Sequence, residues 1–246
     1  MRRILSILVV LFIVVVAFGL LYAQSADRSI FQVSTWHALK QGMYDGETTY
    51  GELKKHGDFG IGTLNGLDGE MVALNHEFFQ IKADGRVHPI TDDKKTPFAV
   101  VTFFKPDKKF SLPAVNDMRE LAEALDRMLT PSGKPCAIRI DGEFTHVKVR
   151  SVPRQERPYP GIDDALKHQT FFELKNVRGT LVGFRFPGYF DGVNVPGFHF
   201  HFITADKQAG GHVLDCSTAE ANVEVAVISN LSVRFLEDGK DGKSAR

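Results

Sequence analysis

"VNVPGFHFHFITADKQAGGHVLDC", Val193 to Cys216, is the stretch on which the reading of this chain turns. Side chains on a strand alternate between faces, so Phe198, Phe200 and Phe202 share one face while His199 and His201 share the other. The segment "TADKQAGG" is turn-forming and brings the chain back, so His212 falls on the neighbouring strand beside that pair. One histidine in such a place would be a polar residue on the open face of a half-buried sheet. H-x-H with a third histidine across a turn instead suits three neutral imidazoles converging on one divalent ion at roughly 2.0–2.1 Å. Three protein ligands leave positions for water or substrate, which is the pattern of a catalytic site rather than a closed structural one. His37, His56, His76, His88, His146 and His168 lack such spacing and read as surface or core residues.

Upstream, "FGIGTL", "MVALN", "EFFQIK", "VHPI" and "FAVVTFF" have β character, and "LNGLDGE" and "KADGR" between them carry glycine-based turn signals. They predict a meander of short strands, preceded by a short helix within residues 34–50. A longer helix is expected with Ser111 as its cap and Pro113 in its first turn. Val115, Met118, Leu121, Ala122, Leu125 and Met128 then share a face. "CAIRIDG" and "FTHVKVRSV" read as a hairpin turning at Asp141-Gly142. The Pro-rich "PRQERPYPG" marks a waist around 151–162; "DDALKHQTFFEL" reads as a short helix, and strands follow to "VEVAVISNLSVRF". The expected fold is α+β (mixed α/β), two packed β-sheet-rich domains with few helices. Residues 26–150 would form an N-terminal mixed-sheet α/β domain, and 151–246 a C-terminal β-rich domain carrying the metal site, with packing of the two as one unit the alternative.

Forty-three per cent hydrophobic residues, 20 Phe among the aromatics, are ample for a packed core. Thirty basic and 30 acidic residues balance, and no basic stripe is present, so nucleic acid is not an expected partner. Residues 1–25 read as a leader: "MRR", then a 20-residue apolar run from Ile4 to Ala23, then Ala23 and Ser25 placed for cleavage. The run is long enough to span a bilayer, so a signal peptide and an uncleaved N-terminal anchor both remain open. Either way the rest of the chain is exported, periplasmic or secreted, with membrane contact only through the leader. Cys136 and Cys216 fit a disulfide or two buried thiols equally.

Other residues could add chemistry to the histidines. "GTLNGLDGEMVALN" places Thr63 and Glu70 around a tight loop. A carboxyl after a Gly turn suits an acid or base aimed into a cleft, although a solvated strand end suits these residues better. Arg150 ends an alternating strand, where it could bind a carboxylate or stabilise an oxyanion, with Arg154 and Arg157 as competitors.

The segments "GTLNGLDGEM", "FQIKADG", "IRIDGEF", "RSVPRQERPYP" and "VNVPGFHFHFI…GGHVLD" resemble, in order, those of the acetolactate decarboxylases. The likeness runs from about Phe31 to about Asp215. It implies a two-domain fold, a homodimer, and loss of CO2 from (S)-2-acetolactate to give (R)-acetoin. It implies that His199, His201 and His212 bind zinc or another divalent metal, that Glu70 and Arg150 are the active-site glutamate and arginine, and that Thr63 lines the pocket. The substrate's hydroxyl and keto oxygens can chelate the ion, which would stabilise the enediolate left by CO2. The β-keto group is the electron sink, so no organic cofactor is expected.

The family commonly has a further glutamate on a C-terminal tail. Glu237 is a nearby glutamate, and it is not assigned to that position. Cys216 is a further conceivable ligand, at an odd offset from His212. A cupin-like metal-dependent oxygenase or isomerase also uses H-x-H with a later His. It usually places a Glu four to six residues on, where this chain has Thr204, Ala205, Asp206 and Lys207. A non-catalytic exported binding protein on the same fold is the remaining alternative.

Overall fold

A computed structural model describes residues 28–129 and 133–236. Its elements in chain order are β1 (Ser29–Val33), α1 (Trp36–Lys40), β2 (Thr48–Thr49), α2 (Tyr50–Leu53), β3 (Phe59–Gly62), β4 (Glu70–Leu74) and β5 (Glu77–Ile81). Next come β6 (Val87–Pro89), β7 (Lys95–Thr96), β8 (Ala99–Thr102), β9 (Lys108–Leu112), α3 (Met118–Met128), β10 (Cys136–Ser151) and α4 (Ile162–Ala165). The chain continues through β11 (Thr170–Phe186), β12 (Gly197–Thr204), β13 (Gly210–Val227) and β14 (Asn230–Arg234).

Seven strands form the first sheet in the order β14-β1-β8-β3-β4-β5-β6. The second runs β10-β11-β12-β13-β9, and β10 also pairs with β13, so β10, β11, β12 and β13 close into a ring. Alternation along the strands sorts the core into layers. Phe200, Phe202, Leu181, Val147 and Val149 fill the ring with Leu121 and Leu125 of α3. Val182, Phe184 and Ile203 face outward from the ring onto Val72, Ile61 and Val100 of the first sheet. Met71, Ala73 and Val101 face the other way, onto Tyr50 and Leu53 of α2. Each long aromatic side chain buried here is worth about 1.5–3 kcal/mol of transfer free energy.

Several expectations are corrected by pairing between distant segments. Asp141 and Gly142 do not turn; they lie mid-strand in β10, paired to Thr180 and Gly179 on one side and to Asn222 and Ala221 on the other. Asp141 accepts from Thr180 Oγ1 at 2.7 Å, and a Cβ on Gly142 would lie 2.9 Å from that of Ala221. The long helix starts later than expected. Ser111 lies in β9 opposite Asn222, and Val115 is held extended by Thr218, its N–H donating to the Thr218 carbonyl at 2.9 Å. Asp117 is the cap, accepting from Glu120 N at 2.7 Å. The segment from Thr170 is not helical, because it pairs along β10 from Ser151 onward.

The waist at 151–162 does not coincide with a sheet boundary. β9 and β10 precede it yet belong to the ring sheet, and β14 follows it yet pairs in parallel with β1. Cys136 and Cys216 are buried free thiols. The leader at 1–25 and Glu237 lie outside the described residues.

Candidate active site

The ring strands deliver the histidines. β12 pairs with β13 so that His201 stands directly opposite His212, and His199 is two residues along on the same face. The intervening Phe200 and its neighbour Phe202 point into the ring core, while Phe198 is half-buried. His199 Nε2 lies 3.1 Å from His212 Nδ1, and one nitrogen from each of the three rings lies within 4.8 Å of the others. Tetrahedral ligands at roughly 2.0–2.1 Å from a metal stand about 3.3–3.4 Å apart, so these three nitrogens could hold a divalent ion once drawn slightly together.

His201 Nδ1 is 2.8 Å from the Met71 carbonyl, which can only accept. The proton is therefore on Nδ1, and Nε2 keeps a free lone pair towards the other rings. His199 Nδ1 is buried without a hydrogen-bond partner among the described residues.

All three rings are held neutral, as ligation requires. Burial takes the His199 pKa down to about 3, helped by the positive Arg150. Burial, followed by the neighbouring His199, holds His201 well below its usual value; burial, followed by Arg150, does the same for His212.

Arg150 reaches this face because β10 pairs with β13, which sets Arg150 opposite His212. Its Nη1 donates to Glu70 Oε1 at 2.6 Å, and Glu70 Oε2 lies 3.4 Å from His201 Nε2. Burial pushes the Glu70 carboxyl up, and the Arg150 charge opposes the shift. Glu70 opens β4 of the first sheet, so the site lies where that sheet meets the ring.

Gly69 makes the sharp entry into β4: its φ is +77°, and a Cβ there would come 2.3 Å from the Ile81 carbonyl oxygen, so only glycine fits. Thr63 donates from Oγ1 to the Gly69 carbonyl at 2.7 Å.

One cavity of about 440 Å³ is lined by all six of these residues, Thr63, Glu70, Arg150, His199, His201 and His212. Its remaining wall is largely apolar, with Trp36, Leu39, Phe98, Ile162, Leu166 and Phe198 among its residues. Arg154 and Arg157 do not line it; they pair with Asp68 and Asp45 near the surface. Cys216 packs in the ring core with Met118 Sδ 3.9 Å away and takes no part in the histidine cluster. The Met71 carbonyl escaped the sequence reading, since a backbone acceptor leaves no side-chain signature.

Residues 30–242 match the family model of alpha-acetolactate decarboxylase. The chain belongs to the alpha-acetolactate decarboxylase family, and is a carboxy-lyase. It is 48% identical over 213 residues to the alpha-acetolactate decarboxylase of Methylococcus capsulatus, covering 87% of this chain and 82% of the relative. It is also 48% identical over 207 residues to that of Methanosarcina mazei, covering 84% of this chain and 72% of the relative. Among solved structures, alpha-acetolactate decarboxylase from Bacillus subtilis strain 168 superposes with a TM-score of 0.83 at 40% identity. That match covers 86% of this chain and 90% of the other. The family match displaces the cupin-like reading.

Proposed function

We propose that the chain converts (S)-2-acetolactate to (R)-acetoin and CO2 with a divalent ion, zinc in the first instance, held by His199, His201 and His212. One observation carries this: three neutral imidazoles and a buried Glu70–Arg150 pair face each other in a single cavity. A bound ion supplies Lewis acidity to the hydroxyl and keto oxygens of the substrate.

The remaining work belongs to the chain. Arg150 binds the substrate carboxylate and holds positive charge beside the oxygens that become negative. When the C2–carboxylate bond breaks, its electron pair passes into the adjacent keto group and CO2 leaves. Once the Arg150 charge turns to the substrate carboxylate, burial favours protonation of Glu70, which returns that proton to C2 from one side and so sets product handedness. The apolar wall keeps out water that would compete for that protonation. The reading includes an exported homodimer with residues 1–25 as leader, supported by the leader's composition and by the family resemblance.

The test is acetoin formation from racemic 2-acetolactate by purified protein, before and after chelation and zinc restoration. Zinc-dependent acetoin of one hand is the expected result. One bound ion per chain with no CO2 released would sink the activity and favour the non-catalytic binding protein.

A further inference from the structure

Thr63 is 4% exposed, and its N–H, its carbonyl oxygen and its hydroxyl proton are all committed inside the protein. Its carbonyl oxygen accepts from Tyr50 Oη at 3.0 Å and from Thr96 Oγ1 at 2.7 Å, the Thr96 proton being shared with the Phe98 carbonyl at 2.9 Å, and both donor residues are 0% exposed. Its N–H donates to the Phe98 carbonyl at 3.0 Å. Its hydroxyl has one proton, and that proton lies on the Gly69 carbonyl at 2.7 Å rather than free for a substrate oxygen. The Gly69 N–H in turn donates to the Val152 carbonyl at 3.0 Å, two residues beyond Arg150.

The peptide between Gly69 and Glu70 is planar, so pinning the Gly69 oxygen also fixes the amide nitrogen of Glu70. That nitrogen sets the direction in which the Glu70 side chain leaves the backbone. Gly69 has no Cβ to restrain the turn by packing, and the hydroxyl bond to its carbonyl adds to the restraint that its N–H gains from Val152.

We propose that Tyr50, Thr96 and Thr63 form a buried hydroxyl clamp that aims the Glu70 carboxyl, with Thr63 a positioning residue rather than a substrate contact. The inference rests on Glu70 taking part in the reaction proposed above. Tyr50 and Thr96 secure Thr63 from the outer face of the first sheet, and Thr63 secures the Gly69–Glu70 peptide. A misplacement of about 1 Å at a catalytic group can cost on the order of 10²-fold in rate.

The experiment compares Thr63→Val, which removes the donor at nearly constant shape, with Thr63→Ser, which keeps it, and with Tyr50→Phe. Steady-state kinetics separate kcat from KM, chiral analysis gives the acetoin enantiomer ratio, and metal per chain is measured alongside. The expected result for T63V is a kcat loss of tens of fold to about 10²-fold, an eroded enantiomer ratio, and unchanged KM and metal content. T63S restores both kcat and the enantiomer ratio, and Y50F shows a smaller loss of the same kind. A loss confined to KM, or a T63V enzyme with unaltered kcat and enantiomer ratio, overturns the clamp. If T63V does not fold, Y50F with wild-type kcat and enantiomer ratio overturns it equally. A crystal structure of T63V, or of Y50F in that case, decides the matter without turnover, so failure of the proposed reaction is seen separately in the wild-type assay. A Glu70 carboxylate still on Arg150 Nη1 in that structure overturns the clamp; a displaced one supports it.

Discussion

Removing either member of the Glu70–Arg150 pair should destabilise the fold by more than removing both would suggest. The two side chains are 8% and 13% exposed, and Glu70 Oε1 sits 2.6 Å from Arg150 Nη1. Arg150→Met keeps an unbranched stem but leaves a buried carboxylate without its cation. Glu70→Gln keeps the shape of the side chain but leaves a buried guanidinium without its anion. Breaking a buried pair from one side costs about 3–5 kcal/mol, because the survivor loses water without gaining a partner. The double variant holds no buried charge, so its cost should fall well below that of either single change, giving a coupling of at least about 3 kcal/mol. At about 2–4 °C per kcal/mol for a chain of this size, each single should melt roughly 6–20 °C below wild type. The assay is urea unfolding of all four proteins in chelator, which removes any contribution from ion binding. Singles that add to within about 0.5 kcal/mol of the double would show the charges already screened by solvent, and the reasoning would fail. Turnover provides the contrast: it is lost in both singles and does not return in the double, since stability is recovered without the chemistry.

Gly69→Ala should cost at least about 1–3 kcal/mol from the left-handed backbone alone, with a further penalty from the 2.3 Å approach to the Ile81 oxygen. Gly188→Ala, where nothing lies within 4 Å, is the control and should fall within about 0.5 kcal/mol of wild type; equal melting of the two variants would refute the argument. The metal-free protein should also lose stability in acid. His199 titrates near about 3 when folded and at about 6.5 when unfolded, so below pH 6.5 the unfolded chain binds the extra proton. Its contribution is fully present above pH 6.5 and declines by up to about 1.4 kcal/mol per unit as pH falls towards 3. Urea midpoints at pH 7 and pH 5 should differ in chelator and differ less in His199→Asn; coincident midpoints for the unaltered protein would refute it.

The histidine half of the site was legible in the sequence because it depends on short-range rules. Alternation puts His199 and His201 on one face, a short turn returns the chain, and His201 meets His212 within eleven residues. The other half was not legible from spacing. Glu70 and Arg150 are 80 residues apart and meet only because two sheets stack, so local reading raised them as candidates without preferring them to a solvated strand end or to Arg154 and Arg157, and the family resemblance made the choice. Local signals failed where a distant partner outweighed them. Asp141-Gly142 is good turn chemistry, yet β11 and β13 occupy both edges of β10 there and keep it extended. Ser111 and Asp117 are both good caps, and the pairing of Val115 with Thr218 decides between them. Strand β4 shows why the stacking matters for chemistry. Glu70 approaches His201 Nε2 while the next residue, Met71, supplies the carbonyl that holds His201 Nδ1. A slip of one residue in β4 would turn Glu70 to the opposite face and move that carbonyl away. The register between the first sheet and the ring is therefore as much a requirement of the site as the three histidines, and no local pattern specifies it.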